Sequence, residues 1–527
     1  MRYMKASDLF VQCLEAEGVE YIFGIPGEEN IDLMDSLSRS SIQFVIARHE
    51  QGAAFMADMY GRLTGKPGVC LATLGPGAAN LVTGVANAHL DRVPLVAITG
   101  QATRTRLHKE SHQNIDTVKM FEPITKYSQQ VLHPHIIPEV IRKSFQLAVM
   151  ESPGAIHIQL PEDVAQKDIE GRPLLKSHLS PPLVNESMIQ SAVDIISQAS
   201  HPVILAGNGV IRSQAWNEVR ALVDKANLPL ANTFMAKGIL PFEHPRNLFT
   251  VGGKPYSQKV LRPLSEADLV IAIGFDLVEY EPITWNFDHA RRVVHIHETP
   301  VDVDEHFPTV TELVGDLRHT LTLLTRFIEQ QPEPTLHNEI RSHRLAEITS
   351  ISHNQEELPR HVMLTLSEKL PENTLVISDV GLHKVWVSRW YQPKMPSRTI
   401  IYNGFASMGG SLPAGIASKL VEPHSPVVVV SGDGGFLMNV QELETAKRLG
   451  AAFTIIVFTD KTYSLIQKKQ HDANLAITGI SFTNPDFQLL AKSFDIEYYR
   501  AEAPESFDDC LQSAINSNKL NLIEVVL

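Results

Sequence analysis

Two aspartates at the ends of two apolar runs are the residues of this chain best placed to do chemistry. The run over 426–430 passes into Gly432-Asp433-Gly434-Gly435, an amphipathic stretch follows, and a second apolar run, FTIIVF, ends at Thr459-Asp460. As neighbouring parallel strands, these runs would bring Asp433 and Asp460 together at their carboxyl ends, although 27 residues separate them. Two hard carboxylate oxygens, a loop carbonyl and diphosphate oxygens form a donor set suited to octahedral Mg²⁺. The glycines let backbone N–H groups approach phosphate, and a helix N-terminus adds favourable polarity. Taken alone, GDG reads as a turn with Asp433 as a helix cap; the second aspartate at the end of the next strand changes that reading. No GxxxxGK[ST] is present, so the loop is not a P-loop.

A GDG turn followed at this distance by Asp resembles the signature of thiamine-diphosphate sites. That cofactor needs a carboxylate, from another segment, to hold a proton at N1′ of the aminopyrimidine. The ring then adopts its imino form, whose nitrogen removes the thiazolium C2 proton. Glu50 fits, where the strand FVIARHE turns into a helix starting near Gln51. By position alone Glu50 is a first-turn acid complementing the helix dipole, a role of about 1 kcal/mol.

The run RHEQGAAFMADMYGRLTGKPGV over 48–69 resembles the Pyr-domain motif of the thiamine-dependent decarboxylase and carboligase superfamily. The resemblance continues through FGIPGEEN at 23–30, TLGPGAANL at 73–81, HQNIDTVKMFEPITKYS at 112–128, IGFDLVEYEP at 273–282 and DKTYSLI at 460–466. It is nearest to acetolactate synthases of the catabolic type. It implies condensation of two pyruvates to 2-acetolactate and CO₂ through a hydroxyethyl carbanion equivalent on the cofactor, the alternatives being a related 2-oxo acid decarboxylase, carboligase or oxidase and a non-catalytic homologue. In that family Glu50 is the N1′ partner, and Asp433, Asp460 and the Thr462 carbonyl hold Mg²⁺. Gly434 and Gly435 lie on the diphosphate with His383 nearby. Met408 sits beneath the bent cofactor, and Ala406 offers its carbonyl to the pyrimidine amine. Tyr463, Leu465 and Ile466 line the reacting end. Pro26, Gly75 and Asn80 belong to the pyrimidine side, and Gln113 faces the substrate. Since the family's cofactor lies between the first segment of one chain and the third of another, a homodimer is the minimum active unit and a homotetramer is expected.

Thr459-Asp460 stands where Asn-Asn or Asn-Asp is common, Ala406 where many relatives have Gly, and Leu382 where flavin-type relatives have Gln; none removes a catalytic function. FAD is not expected, because the run IGFDLVEYEPITW lacks the arginine and paired aspartates of the flavin-contacting stretch. The corner Gly207-Asn208-Gly209 is weak support for any dinucleotide and reads as structure. His295 with His297, and His133 with His135, lack a third ligand and read as core or surface histidines. Cys70 reads as buried and inert.

These residues need elements to hold them. Short β-rich runs alternate with segments of helical period, which predicts an α/β fold of three doubly wound parallel-sheet domains. Pro-rich stretches over 168–187 and 328–338 read as linkers, giving a Pyr domain over 1–170, a central domain over 188–327 and a PP domain over 355–527, the third like the first in layout. Apolar residues make up 43% and charged residues 20% of the 527, which excludes disorder and fibrous forms. A net charge of −14 opposes nucleic-acid binding. Three cysteines make no disulfide framework, and no apolar run approaches a membrane span. A soluble cytoplasmic protein is expected.

Overall fold

The computed structural model describes residues 3–176, 180–252, 258–349 and 357–527. Residues 177–179 of the first linker and 355–356 of the third segment lie outside that range. Three six-stranded sheets, each parallel throughout, organise the chain.

The first domain contains β1 (Tyr3–Lys5), β2 (Tyr21–Gly24), β3 (Gln43–Ile46), β4 (Gly68–Ala72), β5 (Leu95–Gln101), β6 (Tyr127–Gln130), β7 (Ala155–Pro161) and β8 (Asp168–Glu170). Its sheet runs β3-β2-β4-β5-β7-β6, while β1 and β8 form a separate antiparallel pair. That pair corrects the reading of 168–187 as wholly linker: Tyr3 pairs with Glu170, so the stretch first closes the domain before crossing to the next. The central sheet, β9 (Pro202–Ala206), β10 (Leu230–Asn232), β11 (Asn247–Thr250), β12 (Leu269–Ile273), β13 (Arg292–His297) and β14 (Thr309–Val314), runs β11-β10-β9-β12-β13-β14. A helix, Thr335–Thr349, begins inside the second Pro-rich stretch.

In the third domain β15 (Leu375–Ser378), β16 (Thr399–Ile401), β17 (Val427–Gly432), β18 (Thr454–Thr459), β19 (Glu497–Ala501) and β20 (Asn521–Val526) run β16-β15-β17-β18-β20-β19. This is the strand order of the first domain, so the expected likeness of the two layouts is a likeness of topology. The order reverses between β2 and β4 in the first sheet and between β15 and β17 in the third, and ligands collect at such switch points beyond the carboxyl ends of strands. β18 is buried along its whole length and β17 up to Gly432, which suits continuous Val/Ile runs covered by helices on both faces.

Two helices of the first domain matter for the site: α1 (Glu50–Thr64) and α2 (Pro76–Leu90). His49 caps α1, its side chain accepting the Gln51 N–H, and Gly65 ends it at φ 68°. In the third domain α3 (Leu382–Arg389), α4 (Ser411–Val421), α5 (Glu442–Arg448) and α6 (Ser464–Asp472) flank the sheet. Ala53, Ala54 and Phe55 of α1 share one buried core with Leu412, Ala414 and Ile416 of α4, so the first and third domains are joined by packing.

Candidate active site

The strand pairing that the two aspartates require is present: β17 lies beside β18 with Gly432 opposite Phe458, so both chains leave the sheet side by side. Asp433 is buried; its Oδ1 accepts the Gly434 N–H at 2.8 Å, and its Oδ2 accepts the Lys461 N–H at 2.9 Å and Asn484 Nδ2 at 2.7 Å. Asp460 accepts the Thr462 N–H at 3.1 Å and the Ser464 hydroxyl. Burial pushes the Asp460 carboxyl above its ordinary value, and the neighbouring Asp433 charge adds to the rise.

A cavity of about 270 Å³ opens here. His383, Ala406, Met408, Asp433, Gly434, Gly435, Asp460, Thr462, Tyr463, Leu465 and Ile466 all line it, together with Trp386 and Phe458. The glycines leave little room for a side chain. A Cβ on Gly434 would stand 2.8 Å from the Tyr463 ring, and one on Gly435 would stand 3.1 Å from Asp379 Oδ2. His383 is buried, and burial drives its imidazole down to about 3, so it faces the cavity neutral with Nε2 unpartnered.

Asp379, which sequence reasoning missed, organises this wall. It is fully buried at the end of β15 and accepts the Gly409 N–H at 2.9 Å and the hydroxyls of Ser411 at 3.0 Å and Ser431 at 3.2 Å. It thereby fastens the loop carrying Ala406, at φ 53°, and Met408 against the strand that delivers Asp433. Asn484 was also missed. Its only signal is an Asn-Pro pair in an otherwise ordinary loop.

The pyrimidine-side residues assemble elsewhere. Glu50 opens α1, nearly buried, and accepts Asn80 Nδ2 at 2.9 Å from α2. Gly75 caps α2 at φ 51°, where a Cβ would stand 2.5 Å from the Gln113 carbonyl. Pro26, Asn80 and Gln113 are exposed. All five cluster beyond β2 and β4, at the first domain's switch point, and none lines the cavity of the third domain.

Two separate half-sites, one presenting an aspartate pair beside glycines and one presenting a single glutamate, are what comparison with known proteins explains. Residues 4–120 match the thiamine pyrophosphate enzyme N-terminal TPP binding domain, 189–324 the central domain of those enzymes, and 379–525 the C-terminal TPP binding domain. The chain belongs to the thiamine pyrophosphate enzymes. It is 34% identical to an acetolactate synthase of Bacillus subtilis (strain 168) over 99% of this chain and 93% of that protein. A catabolic acetolactate synthase of Raoultella terrigena is 34% identical over 98% and 93%. A probable acetolactate synthase large subunit of Methanocaldococcus jannaschii is 33% identical over 99% and 92%. This is a thiamine-pyrophosphate-dependent enzyme of the acetolactate synthase type.

The cavity suits the diphosphate end of thiamine pyrophosphate. The buried and unpartnered His383 Nε2 and Thr462 Oγ1 belong to cavity-lining residues and are polar groups that lack a partner until something enters. No group of three His, Cys, Asp or Glu occurs among the described residues, so a cation here would draw on two carboxylates, a backbone carbonyl and the ligand's own oxygens.

The remaining motifs resolve as structure. Gly207 and Gly209 allow two backbones to cross, since a Cβ on Gly207 would stand 2.4 Å from the Gly274 carbonyl. His295 and His297 are buried and stacked with centroids 5.5 Å apart, and burial lowers both. Cys70 is fully buried, and burial raises its thiol far above its usual range. No helix among the described residues is long and apolar enough to cross a membrane.

Proposed function

We propose that this enzyme condenses two molecules of pyruvate to 2-acetolactate with release of CO₂, using thiamine diphosphate and Mg²⁺ without FAD. The observation that carries the reading is the single cavity that unites Asp433, Asp460, His383 and Met408 in one wall. When bound, the cofactor supplies the electron sink for decarboxylation and carbon–carbon bond formation. Asp433, Asp460 and the Thr462 carbonyl hold the cation that neutralises the diphosphate. His383, kept neutral by burial, donates from its ring N–H to a diphosphate oxygen without adding charge. Glu50, oriented by Asn80, holds the proton at the pyrimidine N1′. Leu465 and Ile466 keep water from the reacting carbon, which matters because protonation there would divert the product to acetaldehyde.

Because Glu50 and the cavity are in separate halves, the complete site forms between two copies, with Glu50 and Gln113 of one chain facing the cavity of its partner. Large apolar side chains border both halves: Ile31 is 60% and Ile115 43% exposed beside the first, Phe405 and Met438 each 44% beside the second. The flavin-free reading is supported by Glu279. Its carboxylate sits in the crevice between β9 and β12, accepting the Asn208 N–H at 3.0 Å, the Asp276 N–H at 3.1 Å and the Thr233 hydroxyl at 2.6 Å. Those amides are the ones a dinucleotide phosphate would use at this switch point.

The test is acetolactate formation from pyruvate by the purified protein with thiamine diphosphate and Mg²⁺ and no FAD, read as acid-released acetoin. Robust product is the expected result. Acetaldehyde and CO₂ without acetolactate would overturn the acceptor assignment, and a strict FAD requirement would overturn the flavin-free reading.

A further inference from the structure

The corner that presents Glu50 is held by the third domain of the same chain. Glu442, the first residue of α5, is fully buried. Its Oε1 accepts the backbone N–H groups of Arg48 and His49, each at 3.0 Å, and its Oε2 accepts the Thr445 hydroxyl at 2.6 Å. Fit is close: a Cβ on Gly52 would stand 2.6 Å from Glu442 Oε1. One turn and a half further along α5, Arg448 Nη2 donates to the Ile46 carbonyl at 2.6 Å, so strand end, corner and helix start are all tied to one short helix.

The same stretch of chain reaches the cavity. Residues 433–436 form the turn of Asp433, Asn439 Nδ2 holds the Gly409 carbonyl at 2.7 Å beside Met408, and Glu442 follows three residues later. One ten-residue span therefore touches the diphosphate turn, the Met408 loop and the Glu50 corner. A carboxylate at the start of a helix also complements its dipole, yet that role is open to any exposed acid. A fully buried carboxylate that gives up water for two amides is costly unless the geometry is used.

We propose that Glu442 is a positioning residue for Glu50, fixing the backbone at Arg48 and His49 so that the Glu50 carboxyl meets the pyrimidine N1′ at the right angle. The inference rests on the thiamine-diphosphate reading of the site. Glu442→Gln keeps the volume and leaves Oε1 on the two amides, but puts an NH₂ where Oε2 accepts the Thr445 hydroxyl at 2.6 Å and the Arg48 N–H at 3.2 Å, so the Arg48 side of the corner loses an acceptor.

The experiment uses the holoenzyme with thiamine diphosphate and Mg²⁺, and measures exchange of the cofactor C2 proton for deuterium in D₂O by quenched NMR. Cofactor affinity is measured in parallel. Glu442→Gln is expected to slow exchange about 10-fold while the cofactor Kd moves less than about threefold. Glu50→Gln is expected to slow it further, and adding Glu442→Gln to Glu50→Gln is expected to change nothing more, because both act through one carboxyl. Unchanged exchange in Glu442→Gln, or equal slowing in both backgrounds, would overturn the proposal. If Glu442→Gln does not fold, Thr445→Val carries the test: it loosens the same carboxylate, a few-fold slowing supports the proposal, and no slowing overturns it. Failure of the underlying reading looks different: wild-type protein would bind no cofactor, or Glu50→Gln would leave exchange untouched.

Discussion

Asp433 and Glu50 are both buried carboxylates at the start of a helical turn, but their neighbours give them different work. Asp433 is surrounded by donors from three segments, the N–H groups of Gly434 and Lys461 and the Asn484 amide, and stands beside a second acid. Glu50 has one polar side-chain partner, Asn80, and no neighbouring acid side chain bonded to it. Under the proposed function the first arrangement would anchor the cation and the second would hold the pyrimidine N1′. Asp433→Ala is therefore expected to weaken Mg²⁺-dependent cofactor binding by 10-fold or more, at about 1.4 kcal/mol per factor of ten, whereas Glu50→Gln leaves binding within about threefold and lowers kcat by about two or more orders of magnitude. Calorimetric titration of cofactor beside steady-state rates separates the two. Equal loss of affinity in both variants would contradict this division. Asp433, Asp460 and Glu50 were legible because their chemistry is carried by residue type at a strand end. Asn484, Asp379 and Glu442 were not, because their role is to accept or donate across the fold, and nothing local marks which buried polar residue will find which backbone amide.

At the scale of elements, the pair α1 and α2 sets the distance between Glu50 and Asn80. One helical turn beyond each of these residues, at i+4, stand Ala54 and Gly84, which touch: a Cβ on Gly84 would lie 2.4 Å from the Ala54 Cβ and 3.1 Å from the Ala54 carbonyl carbon. Replacing a mid-helix glycine by alanine usually gains about 1 kcal/mol from helix propensity. Here the helices must separate to admit the methyl, which costs about 1–3 kcal/mol, so the sign reverses. Gly84→Ala is expected to lower the melting temperature by about 2–8 °C and to reduce kcat through the Asn80–Glu50 contact, with scanning calorimetry and steady-state rates as the checks. A raised melting temperature would show that the helices part freely. The helical period of both α1 and α2 was readable, but their close approach was not. AAFMADMYG has helical period, but nothing in it announces that its buried face meets both a first-domain helix and α4 of the third domain. Likewise, β8 was hidden in a Pro-rich stretch because three residues pairing with β1 leave no periodic trace.

For the whole molecule, the alternation of strand and helix was enough to predict parallel sheets, and the repeated glycine corners were enough to relate the third domain to the first. The strand order itself, and the absence of the pyrimidine-side residues from the cavity lining, depend on packing between segments hundreds of residues apart, which period and composition do not encode. Burial on this scale has a consequence for acid stability. Burial holds His157 and His297 down at about 3 and His337 at about 4, against an ordinary 6.5. Burial also raises Glu279 and Glu298 to about 7, and Asp58 to about 6 beside Arg62. A histidine depressed in the fold takes its proton only after the unfolded chain has done so, and stability drains as pH falls below about 6.5. A carboxyl raised in the fold takes its proton first, and stability is regained from about pH 7 down to about 4.5, below which both states are protonated. Between pH 6.5 and 4.5 the three histidines and three acids offset one another, with His89 and His295, also lowered by burial, tilting the balance gently downward. Below about 4.5 Glu279 and Glu298 have nothing left to return, Asp58 follows at its ordinary 3.8, and each unmatched histidine costs about 1.4 kcal/mol per pH unit until its own folded value is reached. The denaturation midpoint is therefore expected to decline slowly to about pH 4.5 and then collapse, and a decline steeper above that point than below it would show that the buried acids do not hold their protons.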